Sequence, residues 1–203
     1  LPVMLGAAAL MRNRAQFAIA AAPGLDRGVL EHCLSQSGLD VPIIEGATYD
    51  LVAASRAVAV TSGTATVECA LLGTPMVVAY RMSALSYLLA RRLVSVPYIA
   101  MPNIILDEAV VPELIQGELV PTRLRDELGV YLDGGEAAAR VRVKLGELRA
   151  RLVRPGAAHE AARLANAHEF IVNLPKGSEL LGICLEWLFS KKLLTKFDSL
   201  DLS

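Results

Sequence analysis

The residues best suited to chemistry form a short hydroxyl-rich loop, Ser62-Gly63-Thr64-Ala65-Thr66. The loop follows an apolar strand predicted over 58–61 and leads into a short helix. A Gly-Thr-Pro turn then returns the chain to a second apolar strand, so the stretch predicts a βαβ unit. The first N–H groups of a helix have no partner within it, and the helix dipole adds partial positive charge there. We therefore expect this loop to bind an anion such as a phosphate.

The elements that must position this loop alternate between strands and helices. Strands are predicted over 16–21, 41–46, 58–61, 76–80 and 96–101, and helices over 5–12, 26–36, 49–54, 83–93, 122–132, 135–152 and 157–172. Asp26 and Thr48 are expected to cap helices, and Pro112 to begin a helix that carries residues 113–116. The alternation predicts an α/β fold with a doubly wound, Rossmann-like parallel sheet flanked by helices.

Ligands of such sheets bind at the carboxyl ends of the strands. Those ends are predicted at Thr61-Ser62-Gly63, Ala79-Tyr80-Arg81 and Met101-Pro102-Asn103. Three polar loops are therefore expected along one edge of the sheet.

Composition excludes several classes of protein. The chain is 54% hydrophobic but only 5% aromatic, which predicts a core of Ala, Val, Leu and Ile and excludes a disordered chain. Twenty Lys and Arg balance twenty-one Asp and Glu, so no overall charge attracts nucleic acid, and no such partner is expected.

Neither the cysteines nor the histidines have the spacing of a metal site. Cys33, Cys69 and Cys184 are far apart in apolar surroundings, and we expect reduced core residues in a cytoplasmic protein. His159 and His168 are nine residues apart, so they do not form the two-histidine face of a zinc helix. We expect no metal and no cofactor.

Four ordered motifs within residues 10–173 together resemble the lipid-A-disaccharide synthase family. The motifs are Thr61-Ser62-Gly63-Thr64-Ala65-Thr66-Val67-Glu68, the segment 73–83, the segment 96–99 with Pro102-Asn103, and the segment 110–116. The resemblance implies the C-terminal half of a glycosyltransferase built from two Rossmann-like domains (GT-B). Such an enzyme transfers 2,3-diacylglucosamine from its UDP derivative to 2,3-diacylglucosamine 1-phosphate, forming the β-1,6-linked lipid A disaccharide.

The resemblance also implies roles for individual residues. Ser62, Gly63, Thr64, Ala65 and Thr66 would donate hydrogen bonds to the donor diphosphate, and Glu68 would accept them from the ribose. The remaining predicted donor-binding residues are Arg81, Asn103, Glu113 and Gln116. Three simpler alternatives stay open: a tight turn in which Ser62 or Thr64 caps the helix, a dipole-complementing Glu68, and a solvated helix edge carrying Glu113 and Gln116.

The family's Pro-Gly-Ser-Arg loop has no counterpart near Leu1-Pro2-Val3-Met4, and no acceptor domain is recognised. We expect the beginning of the protein to be missing, the general base to lie in an absent N-terminal domain, and the chain alone to be inactive. The alternative is a non-catalytic module that binds nucleotide sugars or another protein. A dimer is a further possibility that the resemblance leaves open.

We predict two regions, a donor-binding domain over 1–173 and an amphipathic helical tail over 174–203. The tail combines apolar residues around Trp187 with Lys191, Lys192 and Lys196. It could pack on the domain or a partner, or lie on a membrane surface. The predicted location is the cytoplasm, with peripheral contact to the inner face of the cytoplasmic membrane as the open alternative.

Overall fold

A computed structural model of the chain describes residues 1–21, 25–83 and 97–153. The described residues up to 149 belong to one compact unit. The predicted helices at 83–93 and 157–172, the boundary at residue 173 and the tail lie almost wholly outside the described ranges.

Five short strands and seven α-helices make up the described part. The strands are β1 Ile19–Ala21, β2 Ile43–Glu45, β3 Val58–Thr61, β4 Met76–Tyr80 and β5 Glu113–Ile115. The helices are α1 Pro2–Leu10, α2 Arg27–Ser37, α3 Thr48–Ala54, α4 Thr64–Leu71, α5 Met101–Leu106, α6 Pro121–Leu132 and α7 Glu136–Leu152, and a 3₁₀ turn spans Gln116–Glu118. None of these helices is long and apolar enough to cross a lipid bilayer.

All strand pairs are parallel, which confirms the predicted Rossmann-like α/β class. The strands fall into two hydrogen-bonded sheets, β1-β2 and β3-β4-β5. In the larger sheet, Thr61 pairs with Ala79 and Ala79 with Leu114, so the three strands end along one edge. Successive side chains of a strand point to opposite faces. Because Met76 to Ala79 are all at most 3% exposed, both faces of the sheet are covered.

The first helices follow their sequence signals only in part. The Asp26 carboxylate accepts a hydrogen bond from the Gly28 N–H at 2.8 Å, so Asp26 caps α2 as predicted. Gly38 ends that helix at φ +65°, a conformation that suits glycine. The predicted cap at Thr48 is wrong, because Ala47 occupies the N-cap position of α3 and Thr48 is already helical.

Two further predictions are wrong in the segment after residue 96. Residues 97–100 are irregular and α5 begins at Met101, where a strand was expected to end and a loop to follow. The predicted helix over 113–116 is instead strand β5, which pairs with β4 and then enters the 3₁₀ turn. Hydrogen bonds between distant segments explain both differences. The Pro112 carbonyl accepts the Val78 N–H, which joins β5 to β4, and the Glu113 carboxylate accepts the N–H groups of Ile99 and Ala100, which are then not available for a strand.

Candidate functional site

The β3–α4 loop is built around Gly63. This residue is the N-cap of α4 and adopts φ +147° and ψ −163°, a conformation essentially restricted to glycine. A Cβ added at Gly63 would meet no atom within 4 Å, so the space beside the loop is open. Thr64 and Ala65, the first residues of α4, are exposed. The loop therefore presents the start of a helix to an open space, as a phosphate site requires.

Two hydroxyl contacts hold the shape of the loop. The Thr66 hydroxyl, with Thr66 fully buried, donates to the Gly63 carbonyl at 2.7 Å. The Ser62 hydroxyl donates to the Ile99 carbonyl at 2.8 Å, which ties the loop to the segment before α5. No side chain caps α4, so the simple capping role considered for Ser62 or Thr64 is not seen.

Glu68 lies one turn into α4 and is half-buried. Desolvation raises the pKa of its carboxyl, while a hydrogen bond from the Tyr49 side chain acts in the opposite direction. Tyr49 belongs to α3 and was not predicted as a site residue, since nothing in its sequence context distinguishes it from an ordinary helical tyrosine. The packing of α3 on α4 brings the two side chains together.

Arg81 and Gln116 join the ends of β4 and β5. The Arg81 guanidinium donates to the carbonyls of Gln116 and Leu119, at 3.2 and 2.8 Å. The Gln116 amide accepts from the Met82 N–H at 2.9 Å and donates to the Met82 carbonyl at 3.1 Å. Gln116 adopts φ +51°, which is uncommon for a residue other than glycine. These contacts fix the path of the chain where β4 leaves the sheet.

Asn103, which is buried, and Glu113, which is partly exposed, form a polar centre. Asn103 is 1% exposed; its Nδ2 donates to the Val111 carbonyl and to Glu113, and its Oδ1 accepts the N–H groups of Val110 and Val111. The Glu113 carboxylate also accepts the N–H groups of Ile99 and Ala100. All donor and acceptor positions of the Asn103 amide are thus in use. A ligand contact by Asn103 would have to replace one of these bonds.

The ten predicted donor-binding residues fall into three groups, two of which are connected by hydrogen bonds. Ser62 to Thr66 form the loop, with Glu68 beside it on α4. Ser62 reaches Ile99, which connects the loop to the centre formed by Asn103 and Glu113. Arg81 and Gln116 form a separate clamp at the ends of β4 and β5.

A groove of about 420 Å³ lies beside β5, and its walls include Tyr98, Val111, Glu113, Ile115 and Tyr131. Desolvation, and secondarily the charge of Glu127, raises the pKa of Tyr131 to about 12, so its hydroxyl stays neutral at physiological pH. No residue of the β3–α4 loop lines this groove, and it is therefore distinct from the predicted phosphate position.

The described cysteines show no redox or metal arrangement. Cys33 and Cys69 are free thiols, with Cys69 buried and Cys33 partly exposed. Burial, followed by the charge of Glu68, raises the pKa of Cys69 to about 12, so its thiol is unreactive at neutral pH. Across residues 1–21, 25–83 and 97–153, no group of three His, Cys, Asp or Glu side chains could hold a metal ion.

Comparison with known proteins gives a single family. Residues 7–167 match the sequence model of the family described as lipid-A-disaccharide synthetase. The lipid-A-disaccharide synthase of Syntrophus aciditrophicus is 43% identical over 169 residues, which are 81% of this chain and 44% of the relative. The enzyme of that name from Geobacter sulfurreducens is 37% identical over 164 residues, which are 79% of this chain and 43% of the relative. The chain thus spans less than half the length of these relatives.

Proposed function

The chain belongs to the lipid-A-disaccharide synthetase family, and we propose that its described residues form the nucleotide-sugar-binding half of such a glycosyltransferase. The observation that carries this proposal is the β3–α4 loop. Gly63 opens the helix in a conformation that other residues avoid, beside an open space, at the carboxyl end of a parallel strand. The N–H groups at this helix start would bind the diphosphate of a UDP-sugar.

Glu68 would accept hydrogen bonds from the ribose hydroxyls of the same donor. A carboxylate has two oxygens that can accept both hydroxyls of a diol. Tyr49 fixes the orientation of the carboxylate. Partial burial of a charge costs free energy, and side chains with such perturbed pKa values cluster at functional sites, which supports a role in binding for this residue.

The reaction we propose for the complete site is transfer of 2,3-diacylglucosamine from UDP-2,3-diacylglucosamine to 2,3-diacylglucosamine 1-phosphate. The 6-hydroxyl oxygen of the acceptor forms a bond to the anomeric carbon of the donor, the bond from that carbon to the UDP oxygen breaks, and the hydroxyl proton passes to a general base. The products are the β-1,6-linked disaccharide and UDP. We place the base and the acceptor site in the part of the relatives that this chain does not match.

Residues 1–203 by themselves should therefore bind the donor nucleotide without catalysing transfer. Because the acceptor is a lipid, the enzyme would bind it at a membrane surface, and we include peripheral membrane contact in the proposal. An alternative in which the chain is purely a binding module makes the same prediction for nucleotide binding.

Calorimetric titration of the chain with UDP, combined with an assay for disaccharide formation from both substrates, tests the proposal. We expect saturable UDP binding, weaker binding of UMP because one phosphate is missing, and no turnover. Absence of UDP binding would overturn the donor-site assignment, and turnover by the isolated chain would overturn the assignment of the base to another part of the protein. Adding the separately produced N-terminal region of a relative distinguishes an enzyme half, which gains activity, from a pure binding module.

A further inference from the structure

The side chain of Glu113 makes hydrogen bonds that are separate from the pairing of β5 with β4. It is the first residue of β5, and its carboxylate points its oxygens at three N–H donors from a different segment. Oε2 accepts the Ile99 N–H at 3.0 Å, and Oε1 accepts the Ala100 N–H at 2.9 Å and Nδ2 of Asn103 at 2.8 Å. Every neighbour named here is a donor, so an ionised carboxylate fits this place better than an amide.

The segment held by Glu113 needs an external acceptor. Ala100 is the N-cap of α5 and is fully buried, and the N–H of an N-cap residue has no partner within the helix. A buried N–H group left without a partner would cost free energy comparable to a lost hydrogen bond. Glu113 supplies the missing acceptor from ten to fourteen residues away in the sequence.

The same segment fixes the predicted phosphate loop. Ile99 uses its N–H toward Glu113 and its carbonyl toward the Ser62 hydroxyl, at 2.8 Å. One peptide segment thus connects the carboxylate on β5 with the residue that precedes Gly63. Asn103 braces this connection, since its own amide is fully bonded to Val110, Val111 and Glu113.

We propose that Glu113 is a positioning residue that holds the Ser62-Gly63 loop in its anion-binding geometry through the backbone of Ile99, rather than a residue that touches the donor. This inference rests on the proposed donor site and adds a specific cause for the shape of that site. It predicts that Glu113 and Ser62 both influence nucleotide binding through their hydrogen bonds to the backbone of Ile99.

A double-mutant cycle tests this path. UDP affinity is measured by calorimetry for the unaltered chain, Glu113→Gln, Ser62→Ala and the double variant, with Glu136→Gln on the exposed start of α7 as the matched control. We expect each single variant to weaken UDP binding about five- to tenfold, and the double variant to be no weaker than the weaker single one, since residues in one hydrogen-bonded network do not act additively. The control should bind as the unaltered chain does.

Native-state hydrogen exchange supplies a readout that needs no ligand. In Glu113→Gln the amides of Ile99 and Ala100 should exchange at least tenfold faster, while in Ser62→Ala they should stay protected because Glu113 still holds them. Protection of the Leu145 amide in the core helix α7 reports whether each variant remains folded. If Glu113→Gln does not fold, Glu113→Asp, whose side chain is one methylene shorter, replaces it in both experiments.

The outcomes separate the two proposals. Three results would overturn the positioning role while leaving the donor site intact. They are equal UDP affinity in Glu113→Gln and the unaltered chain, a loss of affinity in the double variant equal to the product of the two single losses, and unchanged exchange at the amides of Ile99 and Ala100. If the unaltered chain does not bind UDP, the donor site fails and the positioning role fails with it, even where the exchange rates change as expected.

Discussion

Glu68 has a cost in stability that its proposed contact with the donor would offset. Desolvation raises the pKa of its carboxyl above the ordinary value of 4.5, so the folded state holds this proton more tightly than the unfolded state. The ionised side chain consequently destabilises the fold, and this loss grows as pH rises from about 4.5 through the raised pKa.

Replacing Glu68 with glutamine should therefore affect stability and affinity in opposite directions. At pH 7 we expect Glu68→Gln to have a larger free energy of unfolding than the unaltered chain. This gain should disappear well below pH 4.5, where Glu68 is protonated in both the folded and the unfolded chain. Urea denaturation at several pH values measures this change. UDP affinity should fall about tenfold, or about 1.4 kcal/mol, since the amide accepts only through one oxygen.

Asp40→Asn removes one negative charge at an exposed position and serves as the matched control. Asp40→Asn should bind UDP as tightly as the unaltered chain does. A Glu68→Gln variant that gains stability but binds UDP with unchanged affinity would argue against a ribose contact at this residue.

At the scale of elements, Gly63 determines how α4 begins. Gly63→Ala adds a Cβ that meets no atom, so its cost comes only from the backbone at φ +147°. We expect a loss of about 1–3 kcal/mol in the free energy of unfolding, together with weaker UDP binding as the helix start shifts. Gly117→Ala, which also adds a Cβ in open space, should change neither quantity appreciably. Equal effects of the two substitutions would contradict the role given to the Gly63 conformation.

The packing of α1 on α6 gives a second contrast between glycines. A Cβ at Gly6 would lie 2.9 Å from Cγ of Pro121 at the start of α6, whereas one at the exposed Gly146 of α7 meets nothing. We expect Gly146→Ala to stabilise the fold by about 0.5–1 kcal/mol through helix propensity. Gly6→Ala should destabilise it by about 1–3 kcal/mol, because overpacking outweighs that gain. Thermal and urea unfolding of both variants measure the difference, and stabilisation by Gly6→Ala would show that the two helices separate at little cost.

Some elements could be predicted from the sequence and others could not, for physical reasons. The unit β3–α4–β4 combines apolar strands, a glycine-containing loop and a Gly-Thr-Pro turn, so local signals agree with the fold. The segments around α5 and β5 depend on distant contacts instead. Residues 97–100 cannot form a ladder strand while Glu113 binds the N–H groups of Ile99 and Ala100, and no local pattern shows that interaction.

The candidate site was predictable to a similar degree. Ser62 to Thr66 lie at the end of a parallel strand as expected, and Arg81 and Gln116 lie at the ends of the neighbouring strands. Glu113 and Gln116 do come near the same edge, although through a strand and a 3₁₀ turn rather than one helical face. The hydrogen bond between the side chains of Tyr49 and Glu68 was not predictable, since it depends on how α3 packs on α4.

At the scale of the whole molecule, the residues of the candidate site lie around one edge of the larger sheet, within the segment that matches the family. The carboxyl ends of β3, β4 and β5 carry the phosphate loop and the Arg81–Gln116 clamp, and the centre around Glu113 lies at the start of β5. Three hydrogen-bonded groups, two of them joined through Ile99, surround the proposed position of the donor nucleotide. Residues 7–167 match the family on which the donor assignment depends.

Backbone amide chemical shifts during a UDP titration test the central claim most directly, since each residue of the loop reports its own contact. We predict that the amides of Gly63, Thr64 and Ala65 shift and saturate together with that of Glu68, while amides on the opposite edge of the sheet, such as Val58, stay unchanged. If saturating shifts appear only at other residues and the amides of residues 62–68 keep their chemical shifts, the assignment of this loop as the diphosphate site is contradicted.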